Sequence, residues 1–453
     1  MENRQQGLCR SPGALIIRFT VLLLLTQFSL FTAAQNASDP EAKALLILSG
    51  DYRIALQEFD NMLALDSSLH IIHYYKGIAH VGLMQYHQAD RQFASAIRYD
   101  SLNPAYFEAR ASCNFEMERY DQAEVLIRKA MQLDPVRIPA QLLLGRILQR
   151  QQRIAEAIRL YLELAESDLL NPFYPKQTGL LYQRIDSLET AARFLEISLA
   201  LDSLDLQVIV RLGQIYVRLE QEHLAESGQL SPNVQNRLGV MNHGIRIDST
   251  QALLYRCRGG LFLMQALYLD AYQDFKCAIE WGDSTAYSFR HAGLSCFHRS
   301  EYQEAAPWFQ KTIEKDSLDP QAWYYLGFCY KWEERIDLAI ECLEQALRLS
   351  YSPSATSVHS GLGQFYSFKR NHAEAIRHYE RALELNPEDA VPMAQLGILI
   401  EESGGDKRKA KEYYLQYLDN PGREIFLVEY IASRVQAINE WLFMQGELSV
   451  DKK

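Results

Sequence analysis

Alanine recurs along this chain every 34 residues: Ala55, Ala89, Ala123, Ala157, Ala191 and Ala225, then Ala271, Ala305 and Ala339. Ala375 and Ala410 nearly keep the same time. A fixed period of roughly 20 to 50 residues marks a repeat array. Each unit of such an array is one supersecondary element that hides its apolar face only by stacking on its neighbours.

Other residues hold the same phase. Twelve positions before the alanine stands a small residue: Gly77, Ala111, Gly145, Gly179, Gly213, Gly259, Gly293, Gly327 and Gly363. Three before it an aromatic recurs (Tyr52, Tyr86, Tyr120, Tyr268, Tyr302), and four after it a bulky residue (Phe59, Phe93, Tyr161, Phe275, Phe309, Tyr379). Apolar positions at helical spacing describe two amphipathic helices per unit. The glycine on one and the alanine on the other let the two backbones approach. Units end on Asp100-Ser101, Asp202-Ser203, Asp248-Ser249 or Asp316-Ser317, expected to stop one helix and cap the next.

These columns resemble the tetratricopeptide repeat, with its pattern W-x2-L-G-x2-Y, then A-x3-F, then P. The best match runs from Trp323 through Leu326-Gly327 and Tyr330 to Ala339, Leu343 and Ala346. The final proline is usually replaced by serine. The resemblance covers roughly residues 40–420 and implies an all-α fold, a right-handed α-solenoid of about eleven helical hairpins. It also implies a protein-binding function without catalysis.

The N-terminus carries Arg4, Arg10 and Arg18, an apolar run over Phe19–Phe31 and then Thr32-Ala33-Ala34-Gln35. This predicts a signal peptide over 1–34, cleaved after Ala34, and an exported, most simply periplasmic, protein. An uncleaved anchor is the alternative. Residues 35–421 are expected to form the solenoid, 422–447 a capping helix with Ile425, Val428, Ala432, Val435, Ile438 and Leu442 on one stripe, and 448–453 a tail. The net charge of −11 argues against general nucleic-acid binding. Past Cys9, six cysteines lie inside helical patterns without CxxC spacing and read as core fillers, with a single bridge somewhere within the cluster from Cys257 to Cys342 left open.

The step from Ala225 to Ala271 is 46 residues, twelve longer than the period. This predicts an insertion near 226–240 that lengthens both helices of one hairpin, with Ser231-Pro232 as N-cap and first helical residue and Ala225 in phase by accident. A smaller break lies at Ser350–Ser357.

In the family, first helices line the concave face, at positions three before, one after and four or five after the small glycine. That pattern places Arg146, Arg150, Lys176, Arg184, Arg218, Arg256, Arg290 and Lys331 there, beside Tyr287, Phe297, Tyr324, Phe328 and Trp332, and no acid. His298 and Phe368 extend the row. Arginine forks hold carboxylates and aromatics add apolar area, so the expected ligand is an extended acidic or carboxylate-bearing segment of another envelope protein. The asparagines of a dicarboxylate clamp are missing, with Gln177 and Leu180 in their places.

His70, His73, His80 and His87 give no third ligand in phase, and no GxSxG, Walker loop or CxxC pair occurs. No enzyme activity, cofactor or metal is expected. Asp-Ser-Leu at Asp100, Asp186, Asp202 and Asp316 resembles an O-glycosylation acceptor, though three of the four are repeat junctions. Two further readings stay open: a carbohydrate-associated accessory protein, with Trp332 and Phe328 stacking on sugars, and a self-assembling solenoid.

Overall fold

A computed structural model describes residues 40–350 and 354–445. The expected signal peptide, its cleavage site and the tail lie outside the described residues. Among those described are 23 helices and no strand, ordered as eleven helical hairpins and a last single helix. The chain divides into two compact units, up to Ser203 and from Leu204.

In the first unit the hairpins pair Pro40–Ser49 with Tyr52–Leu65, His70–Gly82 with Tyr86–Tyr99, and Pro104–Glu116 with Tyr120–Leu133. Ile138–Arg150 with Ile154–Ser167 and Phe173–Arg184 with Leu188–Leu201 complete it. Ala55, Ala89, Ala123, Ala157 and Ala191 are fully buried, and so are Phe59, Phe93, Ile127 and Leu195. The first-helix glycine meets this bulky residue. A methyl group on Gly179 would lie 2.7 Å from Leu195 Cγ and 3.0 Å from the Ala191 carbonyl. The close approach is thus glycine against a side chain as much as backbone against backbone.

The second unit pairs Leu206–Ser227 with Val234–Ile247, Ala252–Met264 with Tyr268–Glu280, and Ala286–His298 with Tyr302–Lys315. Pro320–Trp332 with Ile336–Leu349, Ser354–Phe368 with His372–Leu385, and Ala390–Glu402 with Lys407–Asp419 follow, before Ile425–Met444. Its core repeats the same columns, with Ala271, Ala305, Ala339, Ala375 and Ala410 fully buried.

The junctions divide their labour differently from the sequence expectation. Asp66, Asp100, Asp248 and Asp316 end the second helices. Their carboxylates accept from the backbone N–H two residues on, at 2.9 to 3.1 Å. The next helix is capped instead by a residue three positions later: Asn103, Asp205, Asp319 or Asp389. One carboxylate is too short to close both ends of a four-residue turn.

The long hairpin is also corrected. Only its first helix grows, to 22 residues, while Val234–Ile247 keeps the usual 14. Ala225 is exposed, so its phase is accidental. Ser231 does not cap a helix. Its N–H and hydroxyl donate to the Glu220 carboxylate at 2.6 and 2.8 Å, and Arg237 donates to the same group. Glu220 is 0% exposed, and this ion pair with two further donors is what makes its burial tolerable.

The last helix, Ile425–Met444, covers the end of the array with Leu427, Ile431, Val435, Ile438 and Leu442. Its buried stripe is rotated from the expected one: Ile425 is 88% exposed and Ala432 lies outward. Arg434 fixes the rotation through a 2.8 Å ion pair with Glu401, which also accepts from the Tyr414 hydroxyl. No described helix is long and apolar enough to cross a membrane.

Candidate binding surface

Two groups of the expected site residues lie in different units. In the first unit Arg146 stacks over Phe115 at 4.4 Å and approaches Glu116 at 3.8 Å. Arg184 donates to Gln152 at 2.9 Å, Lys176 is half-buried, and Arg150 is exposed at its helix end. Arg146 and Arg184 thus each serve side chains of the preceding hairpin.

In the second unit the residues come together more closely. Arg256 reaches Asp283 at 3.2 Å and lies over the Tyr287 ring, which stacks on His291 with centroids 3.9 Å apart. Arg290 pairs with Asp319 at 2.8 Å. Arg218 stands 3.7 Å from Glu222, one turn along its own helix. The acid-free surface of the sequence reading is therefore not acid-free. The expected surface positions of these hairpins carry no Asp or Glu, but the turn before the next first helix delivers one to Arg256 and one to Arg290. The same contact occurs with its charges exchanged in the first unit, where Arg137 pairs with Glu108. Arg256 and Arg290 are in this sense latches between successive hairpins.

The aromatic residues are graded by depth. Tyr324 packs on Phe328 at 4.8 Å, Phe328 on Phe365 at 5.1 Å, and Phe297 on Tyr302 and Tyr325 at 5.2 and 5.0 Å. Burial pushes the Tyr324 hydroxyl up to about 12, so it is a neutral hydrogen-bonding group. Trp332 stacks on Tyr302 at 5.0 Å with the rings 4° from parallel, yet it is 55% exposed. Phe368, at the same position of the next repeat, is 54% exposed. Lys331 stands between them.

The early histidines serve their own neighbourhoods: His70 bonds Tyr106 at 2.8 Å, His73 bonds Gln92 at 2.8 Å and His80 bonds Gln85 at 2.7 Å. Sequence spacing did not single out Cys296, Glu301 and Glu304, whose ligand atoms lie within 4.8 Å of one another. Arg299 already donates to Glu301 at 2.6 Å, and burial pushes the Cys296 thiol up to about 12. This arrangement favours an arginine-bound carboxylate and a protonated thiol over a cation site. All six described cysteines are free, so the bridge left open by the sequence is not formed.

Residues 114–172 and 319–388 match family models described as tetratricopeptide repeat. Among curated proteins, the chain is similar to BBSome complex member BBS4 of Bos taurus, 22% identical over 186 residues. That match covers 41% of this chain and 33% of the relative. It is also 24% identical over 136 residues to anaphase-promoting complex subunit 3 of Schizosaccharomyces pombe, covering 23% of this chain and 20% of the relative. The chain thus spans a third or less of these relatives' length. Among solved structures, the C-terminal part of a TPR repeat-containing protein from Cytophaga hutchinsonii superposes with a TM-score of 0.43 at 16% identity, covering 56% of this chain and 98% of the other. The APC/C hetero-tetramer Cut9-Hcn1 gives 0.43 at 12% identity, covering 94% and 93%. The segments 114–172 and 319–388 are tetratricopeptide repeats, set among described residues that form eleven helical hairpins and a last single helix.

Proposed function

We propose that this chain is an exported, non-enzymatic adaptor whose first-helix surface in the second unit holds an extended, carboxylate-bearing segment of an envelope protein. One observation carries the reading. At Lys331, Trp332 and Phe368 a cation and two half-exposed rings stand together, whereas the arginines beside them are already neutralised. Export rests on the arginine-flanked apolar run at Phe19–Phe31 and the small residues before Gln35. Tetratricopeptide repeats support a protein partner as the ligand class.

The test is to purify the chain from the exported fraction, read its N-terminus and identify what stays bound. The expected result is a chain beginning at Gln35 that retains a specific protein, which the double variant Trp332→Ala, Phe368→Ala releases. A chain still beginning at Met1 in the cytosol would refute export. Equal retention by the variant would refute the binding surface. The exposed Ile425, Phe426 and Tyr430 on the last helix favour a second reading, self-association through that end. Light scattering that rises with concentration, and falls for Phe426→Ser, would support it.

A further inference from the structure

Trp332 and Phe368 each close a first helix, Pro320–Trp332 and Ser354–Phe368, so one repeat position supplies both rings. Lys331 Nζ lies 3.7 Å from the Trp332 ring centre and 5.4 Å from that of Phe368. Tyr302 backs Trp332 from the preceding hairpin and holds its plane. The other cations expected at the site in this unit each face a carboxylate: Arg218 has Glu222, Arg256 has Asp283 and Arg290 has Asp319. Lys369, beside Phe368, has Asp337 at 2.5 Å. Lys331 has rings alone, with no carboxylate paired to it among the described residues. Partial burial lowers its pKa, as for an ammonium that has lost water without gaining an anion.

We infer that Lys331, Trp332 and Phe368 anchor one acidic residue of the bound segment, its carboxylate on Lys331 Nζ and an adjacent apolar side chain laid on the two rings. This rests on the protein-binding reading of the same surface and adds which ligand residue sets the register. An ammonium has three donors and no acceptor. The ring faces satisfy it electrostatically on one side and leave N–H groups for an incoming oxygen. A chain of net charge −11 resists an acidic segment elsewhere, so a cation without a carboxylate partner of its own selects one place along the second unit's surface.

The experiment is an array of random 12-residue peptides probed with the full chain and with Lys331→Met, which keeps the apolar stem over the rings. The wild type should enrich peptides carrying Asp or Glu next to an aromatic or aliphatic residue. For a selected peptide, changing its acid to the amide should weaken wild-type binding about tenfold, the scale of one charge-assisted hydrogen bond. Lys331→Met should bind both peptide forms alike. Enrichment of apolar peptides without an acid, or an unchanged preference in Lys331→Met, would overturn the anchor and leave protein binding standing. The absence of any enriched peptide would overturn both. The amide comparison on the wild type holds even if the variant folds poorly.

Discussion

His378 shows how the hairpin core constrains a single side chain. It is 7% exposed, stacks on Tyr366 with the rings 9° from parallel, and its Nδ1 lies 2.9 Å from His359 Nδ1. One imidazole must donate and the other accept, so the pair holds together only while at least one ring is neutral. Burial, then the neighbouring His359 and Arg377, lowers its pKa to about 4. Burial does the same to His291, which also falls to about 4. Both groups bind protons more readily in the unfolded chain. Their contribution is therefore complete above about pH 6.5 and is lost as pH falls from there toward 4, on the order of 3 kcal/mol for each. Urea unfolding at pH 7.5 and 5 should show about 2 kcal/mol of this loss for each group, and His378→Asn should flatten the slope by about half. A pH-independent midpoint between those values would contradict the burial of both rings. The acids that neutralise Arg256 and Arg290 are a second lesson at this scale. Asp283 and Asp319 lie 27 and 29 residues further on, close to one repeat, so the sequence contained the signal. Inspecting only first-helix positions misses residues that the turn brings alongside.

At the scale of the element, each of the eleven hairpins contains one residue with a left-handed backbone at or just past its turn. Gly50, Gly228 and Gly404 fill that place in three of them. The other eight have Met84, Glu118, Gln152, Asp186, Ala266, Ser300, Glu334 and Arg370, with φ between 56 and 63°. No glycine signal marked these turns, because the packing of two helices against each other imposes the conformation on whatever side chain stands there. An L-residue in this region costs roughly 1–2 kcal/mol, and glycine loses part of that gain to the greater freedom of its unfolded chain. Ala266→Gly should therefore raise stability by up to about 1 kcal/mol, read as a higher denaturation midpoint. A clear loss would mean the turn is not left-handed. The hairpins themselves were legible because alanine and glycine must recur wherever two helices touch. Ala225, read from the sequence as in phase by accident, is exposed on a helix of 22 residues. The rotation of the last helix was not legible. Ile425 and Ile431 are equally apolar, and contacts such as the Arg434–Glu401 pair, distant in sequence, go with the face that turns inward.

At the scale of the molecule, one repeat unit serves both units of the chain, and the proposed binding rests on where the pattern is left unsatisfied. Several charged side chains of the first helices are consumed by contacts between neighbouring hairpins, as at Arg137–Glu108 and Arg290–Asp319. At Lys331, Trp332 and Phe368 that internal pairing stops. The most direct test of the binding account is an in-cell crosslink from a photoreactive residue at position 368, with a control at Val125, an exposed second-helix residue. The account expects one dominant protein joined at 368 and absent from the control. The same products from both positions, or none from 368, would contradict it.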